Sequence, residues 1–134
     1  MSIASGELWE LQLAQGWEME VDEYCTTLLH PEGVGALQIS AFTHNDGSEV
    51  LKSDLLAETN LPEEKQRFLA ELQWGDFSGY QLIYAQEEDF WRKLWLTDGS
   101  AFLFITYNCN RDYEKIESQT VNTMLSTLRS PSAD

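Results

Sequence analysis

The first 51 residues of this chain carry nine carboxylates and no lysine or arginine. Lys52 is the first residue with a fixed positive charge, and the 134-residue chain has a formal net charge of −15. Because this segment cannot form Lys or Arg ion pairs within itself, folding must expose its carboxylates to water or hold them against a positive partner. The charge therefore limits which faces of the N-terminal elements can be buried.

The overall composition predicts one folded domain spanning residues 1–134, with residues 1–6 and 130–134 frayed. Hydrophobic content of 43%, with five Trp, six Phe and five Tyr, excludes a disordered chain. The negative charge argues against nucleic acid and against anionic membranes as partners. The start lacks a basic and apolar signal segment, so we expect a cytoplasmic protein with Cys25 and Cys109 reduced.

Hydrophobic periodicity divides the chain into a strand-rich first third, a helical middle and a strand-rich end before a closing helix. Residues 17–22 (WEMEVD) alternate strictly, so Trp17, Met19 and Val21 should face the core, and Glu18, Glu20 and Asp22 should face water. The predicted strands are Leu8–Leu13, Trp17–Asp22, Cys25–His30, Ala36–Thr43, Tyr80–Gln86, Phe90–Thr97 and Ala101–Tyr107.

The last of these strands is apolar on both faces, so it should lie centrally in the sheet. Residues 74–79 (WGDFSG) are typical of an irregular turn. Ser48 is a suitable N-cap, and Pro62 with its following acids suits a helix start. The predicted helices are Ser48–Thr59, a short one from Pro62 to Leu69, and Arg111–Leu128 capped by Asn110.

No motif for catalysis or cofactor binding is present. His30 and His44 lack metal-ligand spacing, and a five-residue offset on one strand would place Cys25 and His30 on opposite faces. We therefore expect neither an enzyme nor a cofactor. For a metal, the acidic turn Glu87-Glu88-Asp89 is a better candidate than the straight strand with Glu18, Glu20 and Asp22, because Ca²⁺ needs converging oxygens. A solvated acidic turn is the alternative interpretation.

Two tryptophans on one strand suggest a binding platform. Trp91 and Trp95 are four residues apart, so they point the same way, with Lys93 between them. Such residues either anchor a partner or lie in the core under a helix. The carboxylates Glu18, Glu20 and Asp22 either steer a basic partner towards the protein or simply keep it soluble.

Several phrases resemble the PsbP-like superfamily, in particular a small bacterial branch of unknown function. The C-terminal strand FLFITYN is followed by an Asn-Arg-Asp start and a helix ending in VNTMLSTLR, from Val121 to Arg129. Gln15-Gly16-Trp17, the element from Thr27 to Gly33 and GALQIS (35–40) match the family's N-terminal phrases. Thr127 stands where the family often has Ser, and the Pro before Gly16 is missing. The resemblance implies an α/β/α sandwich around an antiparallel sheet and partner-binding roles, without shared catalytic residues.

Together these observations predict an α+β domain with a twisted, mainly antiparallel sheet of about six to eight strands and the C-terminal helix packed on one face. The expected function is a non-enzymatic acidic module that binds a basic protein, such as an inhibitor or an immunity protein. Glu18, Glu20 and Asp22 would steer this partner, and Trp91 or Trp95 would anchor it. The alternative is a small-ligand or divalent-cation binder that uses the Glu87–Asp89 turn or a pocket between sheet and helix. A homodimer through a sheet edge is also open.

Overall fold

The protein has an α+β fold with a seven-stranded antiparallel sheet and two α-helices. The structure is a computed structural model that describes residues 2–131. Predicted fraying at Met1 and at residues 132–134 lies outside the described residues. The strands are β1 (Ser2–Ser5), β2 (Glu10–Leu13), β3 (Glu18–Val21), β4 (Thr26–Leu29), β5 (Gly35–Phe42), β6 (Ala70–Trp74), β7 (Phe77–Gln86), β8 (Asp89–Thr97) and β9 (Phe102–Asn110). The α-helices are α1 (Lys52–Glu58) and α2 (Ser118–Ser126), and 3₁₀ turns span Glu63–Phe68 and Arg111–Tyr113.

The seven-stranded sheet has the order β3-β4-β5-β9-β8-β7-β6. The most apolar strand, β9, is its central member, as the two-faced pattern of residues 101–107 predicts. β1 and β2 form a separate antiparallel hairpin. The edges of the large sheet are β3, which carries Glu18 and Glu20, and β6.

One face of this sheet, which we call the packed face, is covered by α2 and by the β1–β2 hairpin. Its core joins the buried residues of α2 to those of the hairpin and of the central strands. The two covering elements are also linked to each other, because the Gln12 N–H donates to Thr127 Oγ1 at 2.8 Å and Glu10 forms a backbone bridge with Arg129. The buried side chains of this core include Trp9, Leu11, Leu28, Leu37, Leu103, Ile105, Val121, Met124, Leu125 and Leu128.

The opposite face, which we call the open face, is covered only in part. α1 packs over β7 and β8, where Val50, Leu55 and Trp95 form a small second core. Val50 is fixed there by its N–H, which donates to the Gly99 carbonyl at 2.8 Å. On the other strands of this side, Glu20, Gln38 and Phe42 are exposed. The part of the open face that adjoins edge strand β3, with its carboxylates, is therefore uncovered.

A buried carboxylate fixes the start of α2 to the sheet. Glu117 is 7% exposed, and its Oε1 accepts a hydrogen bond from the Tyr107 hydroxyl at 2.7 Å. The same carboxylate accepts from the Gly35 N–H at 3.1 Å and from the Val34 N–H at 3.3 Å. One side chain thus joins α2, the central strand β9 and the loop before β5.

This arrangement requires glycine at position 35. A Cβ atom there would lie 2.5 Å from the Asn108 carbonyl oxygen and 2.6 Å from the Tyr107 hydroxyl oxygen. Both distances are far shorter than ordinary contacts, so any side chain would push the loop away from β9 and from Glu117. Gly35 is needed here for close backbone approach.

The edge position of β3 corrects one sequence expectation. Trp17 is buried as predicted, but Met19 is 41% and Val21 67% exposed. β3 is an edge strand, and the described residues leave its apolar side largely exposed. The alternating sequence pattern therefore predicts correctly which side of the sheet Met19 and Val21 face, but it predicts their burial incorrectly.

Several element boundaries also differ from the sequence expectation. Ser2–Ser5 is a paired strand with Ala4 fully buried, so frayed residues 2–6 are a wrong prediction. The turn predicted at 74–79 is a tight connection at Gly75-Asp76 between β6 and β7, and β6 was missed.

The helices are shorter than predicted. Ser48 does not cap α1; the Asp54 carboxylate accepts from the Leu51 N–H at 2.8 Å instead. Asn110 caps the 3₁₀ turn Arg111–Tyr113 and not α2, which begins only at Ser118. Tyr113 and Ile116, which the predicted helix Arg111–Leu128 includes, precede α2 and are exposed.

The Glu117 contacts generate a stability prediction. Replacing Glu117 with Ala leaves the Tyr107 hydroxyl and two backbone N–H groups without their acceptor, so we expect a loss of roughly 2–4 kcal/mol in the free energy of unfolding. Glu114→Ala, an exposed change three residues earlier, should stay within about 0.5 kcal/mol of wild type. Urea unfolding measures both, and equal effects would show that the buried carboxylate does not hold α2.

Candidate functional site

The open face presents a cross-strand row of side chains that reaches from the sheet edge to β7. The strand register pairs Glu20 with Thr27, Thr27 with Gln38, Gln38 with Thr106, Thr106 with Lys93, and Lys93 with Leu82. Paired residues in adjacent strands lie on the same face of the sheet. The predicted steering carboxylates and the predicted tryptophans therefore share one surface.

Three cavities lie side by side on this surface, and we call them together the open-face groove. The first has a volume of about 310 Å³ and lies between Phe42, Phe102 and α1. It shares Phe42, Glu58 and Phe102 with the second, of about 400 Å³. The second shares Lys93 and Phe104 with the third, of about 270 Å³, which extends to Cys25 on the β4 side. The shared lining makes them one continuous depression across β5, β9 and β8.

The floor of the groove is aromatic. Phe42 is 55% exposed and its ring centroid lies 5.9 Å from that of Phe102. Phe104 and Trp91 are half-buried and line the groove further along. An exposed apolar floor of this kind typically marks an interaction surface.

The two predicted anchor residues have different environments. Trp95 is 5% exposed, packs against Phe104 at a centroid distance of 5.7 Å and belongs to the core beneath α1. Trp91 is half-buried and lines the groove. Of the two, only Trp91 offers substantial surface to a partner.

Lys93 lies between the aromatic side chains of the groove. Its Nζ is 5.4 Å from the ring centroid of Trp91 and 5.4 Å from that of Tyr84. Cation–π contacts of this length hold an ammonium group by about 0.5–1 kcal/mol at an exposed site. Lys93 thus orders the two rings that flank it.

The predicted steering carboxylates lie at the far border of the open face. Glu18 and Glu20 are exposed on β3, four strands away from β8. With about 4.8 Å between strands, they are roughly 19 Å from the row positions of Trp91 and Lys93. That separation exceeds the Debye length of about 8 Å at physiological ionic strength, so Glu18 and Glu20 do not act on Trp91 directly.

Asp22, the third predicted steering residue, has a structural role. Its Oδ1 accepts from the Tyr24 N–H at 2.7 Å and from the Cys25 N–H at 2.9 Å, which closes the β3–β4 turn. These backbone hydrogen bonds hold the pKa of Asp22 below its ordinary value. Asp22 therefore stays negatively charged and shapes the border of the groove.

A second acidic border lies along α1. Asp54 and Glu58 line the first cavity beside His44. The Asp54 carboxylate accepts from the Leu51 N–H and lies 3.2 Å from His44 Nε2, and these contacts lower its pKa. The groove is thus bordered by carboxylates at both ends, and sequence reasoning did not identify the α1 border or the phenylalanine floor. The alternating Phe102 and Phe104 of AFLFITY were the available signal, but they do not show which face stays uncovered.

The predicted Ca²⁺ site is not assembled. Glu87 and Glu88 form the two-residue turn between β7 and β8, and Asp89 begins β8 paired with Gln86. Within residues 2–131, no group of three or more His, Cys, Asp or Glu side chains is placed to hold a metal ion. The turn instead binds Arg111, which donates from its Nη1 to the Glu87 carbonyl at 3.1 Å.

The two cysteines lie on different faces. Cys25 is a half-buried free thiol in the groove, and Cys109 is a buried free thiol on the packed face. Burial raises the pKa of Cys109. His30 lines a separate cavity, so it does not meet Cys25 in the groove.

Comparison with known proteins shows likeness at the level of fold. No family model matches the sequence, and no curated protein sequence matches it. A crystal structure from Bacteroides thetaiotaomicron VPI-5482 is similar with a TM-score of 0.65 and 13% identity over 92% of this chain. This chain spans 45% of that protein's length.

A second similar structure is LpqN of Mycobacterium tuberculosis, which is described as involved in cell envelope biogenesis. Its TM-score is 0.60, with 12% identity, and the match covers 92% of this chain and 83% of LpqN. Identities this low establish a shared fold and nothing about activity. Within the described residues, no helix is long and apolar enough to cross a membrane.

The thiols provide a direct check of the groove. In native protein, 5,5′-dithiobis(2-nitrobenzoic acid) should react with one thiol, Cys25, because Cys109 is buried and its pKa is raised. Both should react in denaturant. Cys25→Ser should abolish the native reaction, and a fast thiol that persists in this variant would contradict the placement of Cys25 in an accessible groove.

Proposed function

We propose that the protein is a non-enzymatic acidic binding module whose open-face groove holds a basic protein partner. An inhibitor or immunity protein for a cationic protein is one concrete form. The partner would present an apolar stretch to the aromatic floor and Lys or Arg side chains to the borders. This function combines the charge of the chain with the uncovered face of its sheet.

The observation that supports the proposal most strongly is the pairing of an aromatic floor with acidic borders. Phe42, Phe104 and Trp91 give the groove apolar surface that a partner could bury. Glu18 and Glu20 lie beyond one end, and Asp54 and Glu58 line the other. Aromatic side chains supply most of the binding energy at interfaces, while border charges mainly raise the association rate.

The dimensions of the site limit the partner. A segment that reaches from Trp91 to the β3 carboxylates must span roughly 19 Å, which takes about six residues in an extended conformation. A single small cation could not use both ends. The proposal therefore commits to a polypeptide with clustered basic residues.

We also propose a relationship to the PsbP-like superfamily and a cytoplasmic location. In support of the relationship, the phrase from Val121 to Arg129 contributes Val121, Met124, Leu125 and Leu128 to the core of the packed face. The family's partner-binding roles agree in kind with the groove, without carrying over any residue. The alternative function, a small-ligand domain, is supported by a different cavity on the packed face.

The proposal is tested by affinity capture from source lysate with three columns. They carry the wild type, the groove variant Glu18→Lys/Glu20→Lys, and the matched control Glu63→Lys/Glu64→Lys, which has the same net charge but changes the 3₁₀ turn. We expect one basic protein to be held stoichiometrically by the wild type and the control at low salt. The groove variant should capture it more slowly and release it at a lower salt concentration, because border charges set the encounter rate and its salt dependence.

A fourth column with Trp91→Ala separates anchoring from steering. Loss of a buried aromatic anchor typically weakens binding by 2 kcal/mol or more, so this column should lose the same protein even at low salt. Two results would contradict a specific open-face site. All four columns could capture the protein equally, or the control column Glu63→Lys/Glu64→Lys could show the same weakened capture as the groove variant.

A further inference from the structure

The packed face contains a cavity that the proposed groove does not involve. It lies between β6–β8 and the segment leading into α2 and has a volume of about 360 Å³. We call it the sheet–helix cleft. Its polar lining includes Trp74, Arg92, Glu114, Lys115, Ser118 and Asn122. A volume of this size lies at the lower end of the range for small-molecule sites, roughly 300–1,000 Å³.

Arg92 in the cleft is a buried cation without an acidic partner. It is 5% exposed, and its Nε and Nη2 donate to Gln81 Oε1 at 3.2 and 2.8 Å. Among residues 2–131, no carboxylate lies within ion-pair distance of this guanidinium. Buried charges are normally paired, and this chain has 23 carboxylates to choose from. A neutral amide oxygen leaves the positive charge uncompensated.

Two further polar atoms in the same cleft lack hydrogen-bond partners. The Trp74 Nε1–H donor and the Asn122 Oδ1 acceptor are both buried and unpaired. Each such orphan costs roughly 1–3 kcal/mol, and most buried polar groups in proteins are satisfied. The three residues that carry these groups line a single cavity, so one bound molecule that reaches the buried atoms could satisfy all three.

The chemistry of these groups defines the molecule. A guanidinium and an indole N–H both seek an acceptor, and the planar guanidinium matches a carboxylate particularly well. Asn122 Oδ1 and the exposed carboxylate of Glu114 instead seek a donor. We propose that the sheet–helix cleft binds a small organic carboxylate that also carries a hydroxyl or amino group.

The bound carboxylate would lie against Arg92 and Trp74, with Lys115 at the mouth of the cleft. The ligand's hydroxyl or amino group would donate to Asn122. Burial lowers the pKa of Arg92, and a bound anion would offset that effect. The site is independent of the open-face groove, so either site can fail without affecting the other.

The test uses nuclear magnetic resonance with glycolate, glycine and L-malate as probes, and with acetate and inorganic phosphate as comparisons at equal ionic strength. The Trp74 indole N–H resonance, assigned through Trp74→Phe, should move saturably with the hydroxy and amino acids. Acetate, which lacks the donor, should bind at least about fivefold more weakly. The indole signals of the other four tryptophans should not follow the titration.

Variants separate binding from folding. Trp74→Phe removes the unpaired donor and keeps an aromatic ring at this position, so the variant should fold and should bind about tenfold more weakly, a change of about 1.4 kcal/mol. Arg92→Met should bind none of the probes while staying folded, since it removes a buried charge that has no acidic partner and is costly to keep out of water. Gln119→Ala on the exposed side of α2 is the control and should bind like the wild type.

Three results would overturn the proposal. The Trp74 signal could stay fixed in folded wild-type protein for every carboxylate up to tens of millimolar. Inorganic phosphate or acetate could match the hydroxy and amino acids, which would mean a general anion site. Arg92→Met could bind as tightly as the wild type, which would mean that the guanidinium is not used.

Discussion

The buried carboxylate of Glu117 is the interaction on which the rest of the structure depends. It receives hydrogen bonds from the Tyr107 hydroxyl and from the backbone at positions 34 and 35, so it ties the start of α2 to the central strand and to the loop before β5. Satisfied buried polar groups specify one arrangement because every alternative leaves a donor or acceptor unpaired. α2 is therefore fixed on the packed face, and the N-terminal hairpin docks beside its end through Thr127 and Arg129.

This arrangement divides the molecule into two faces with different properties. The packed face is closed by α2 and the hairpin and retains one polar cleft around Arg92. On the open face, the short α1 packs over β7 and β8, and the aromatic groove beside β5 and β9 stays exposed. The strongly acidic N-terminal segment supplies edge strand β3, where exposed charges also disfavour pairing with another sheet edge. In the proposed function, the same residues would also steer the partner.

Sequence reasoning recovers the fold where the hydrophobic pattern is continuous. It predicts the central position of β9 and the two strands that form the β7–β8 hairpin, because these follow from local periodicity. It fails for Met19 and Val21, since alternation cannot show that β3 lies at an edge without a cover. It also extends α2 over residues 111–117, where the chain makes a 3₁₀ turn and Glu117 leaves the helical pattern to reach Tyr107. In both places, tertiary contacts determine the structure, and the local sequence pattern does not contain them.

For the candidate site too, local spacing was predictable from the sequence and tertiary packing was not. Sequence spacing placed Trp91, Lys93 and Trp95 on one face, and the strand pairing agrees, with Lys93 beside Thr106 and Trp95 beside Phe104. What spacing could not show is that α1 covers Trp95 and leaves Trp91 uncovered, because that depends on where a seven-residue helix docks. The polar orphans of the sheet–helix cleft are equally invisible in sequence, since Trp74 and Asn122 lie 48 positions apart.

The central claim is that the open face is the binding surface, and Cys25 gives it a native reporter within the groove. The most direct measurement is the alkylation rate of Cys25 in the complex with the captured partner, compared with the rate in the free protein under native conditions. A partner seated in the groove should slow the reaction by tenfold or more by excluding the reagent. An unchanged rate in a complex that is stoichiometric by mass would place the partner elsewhere and contradict the account.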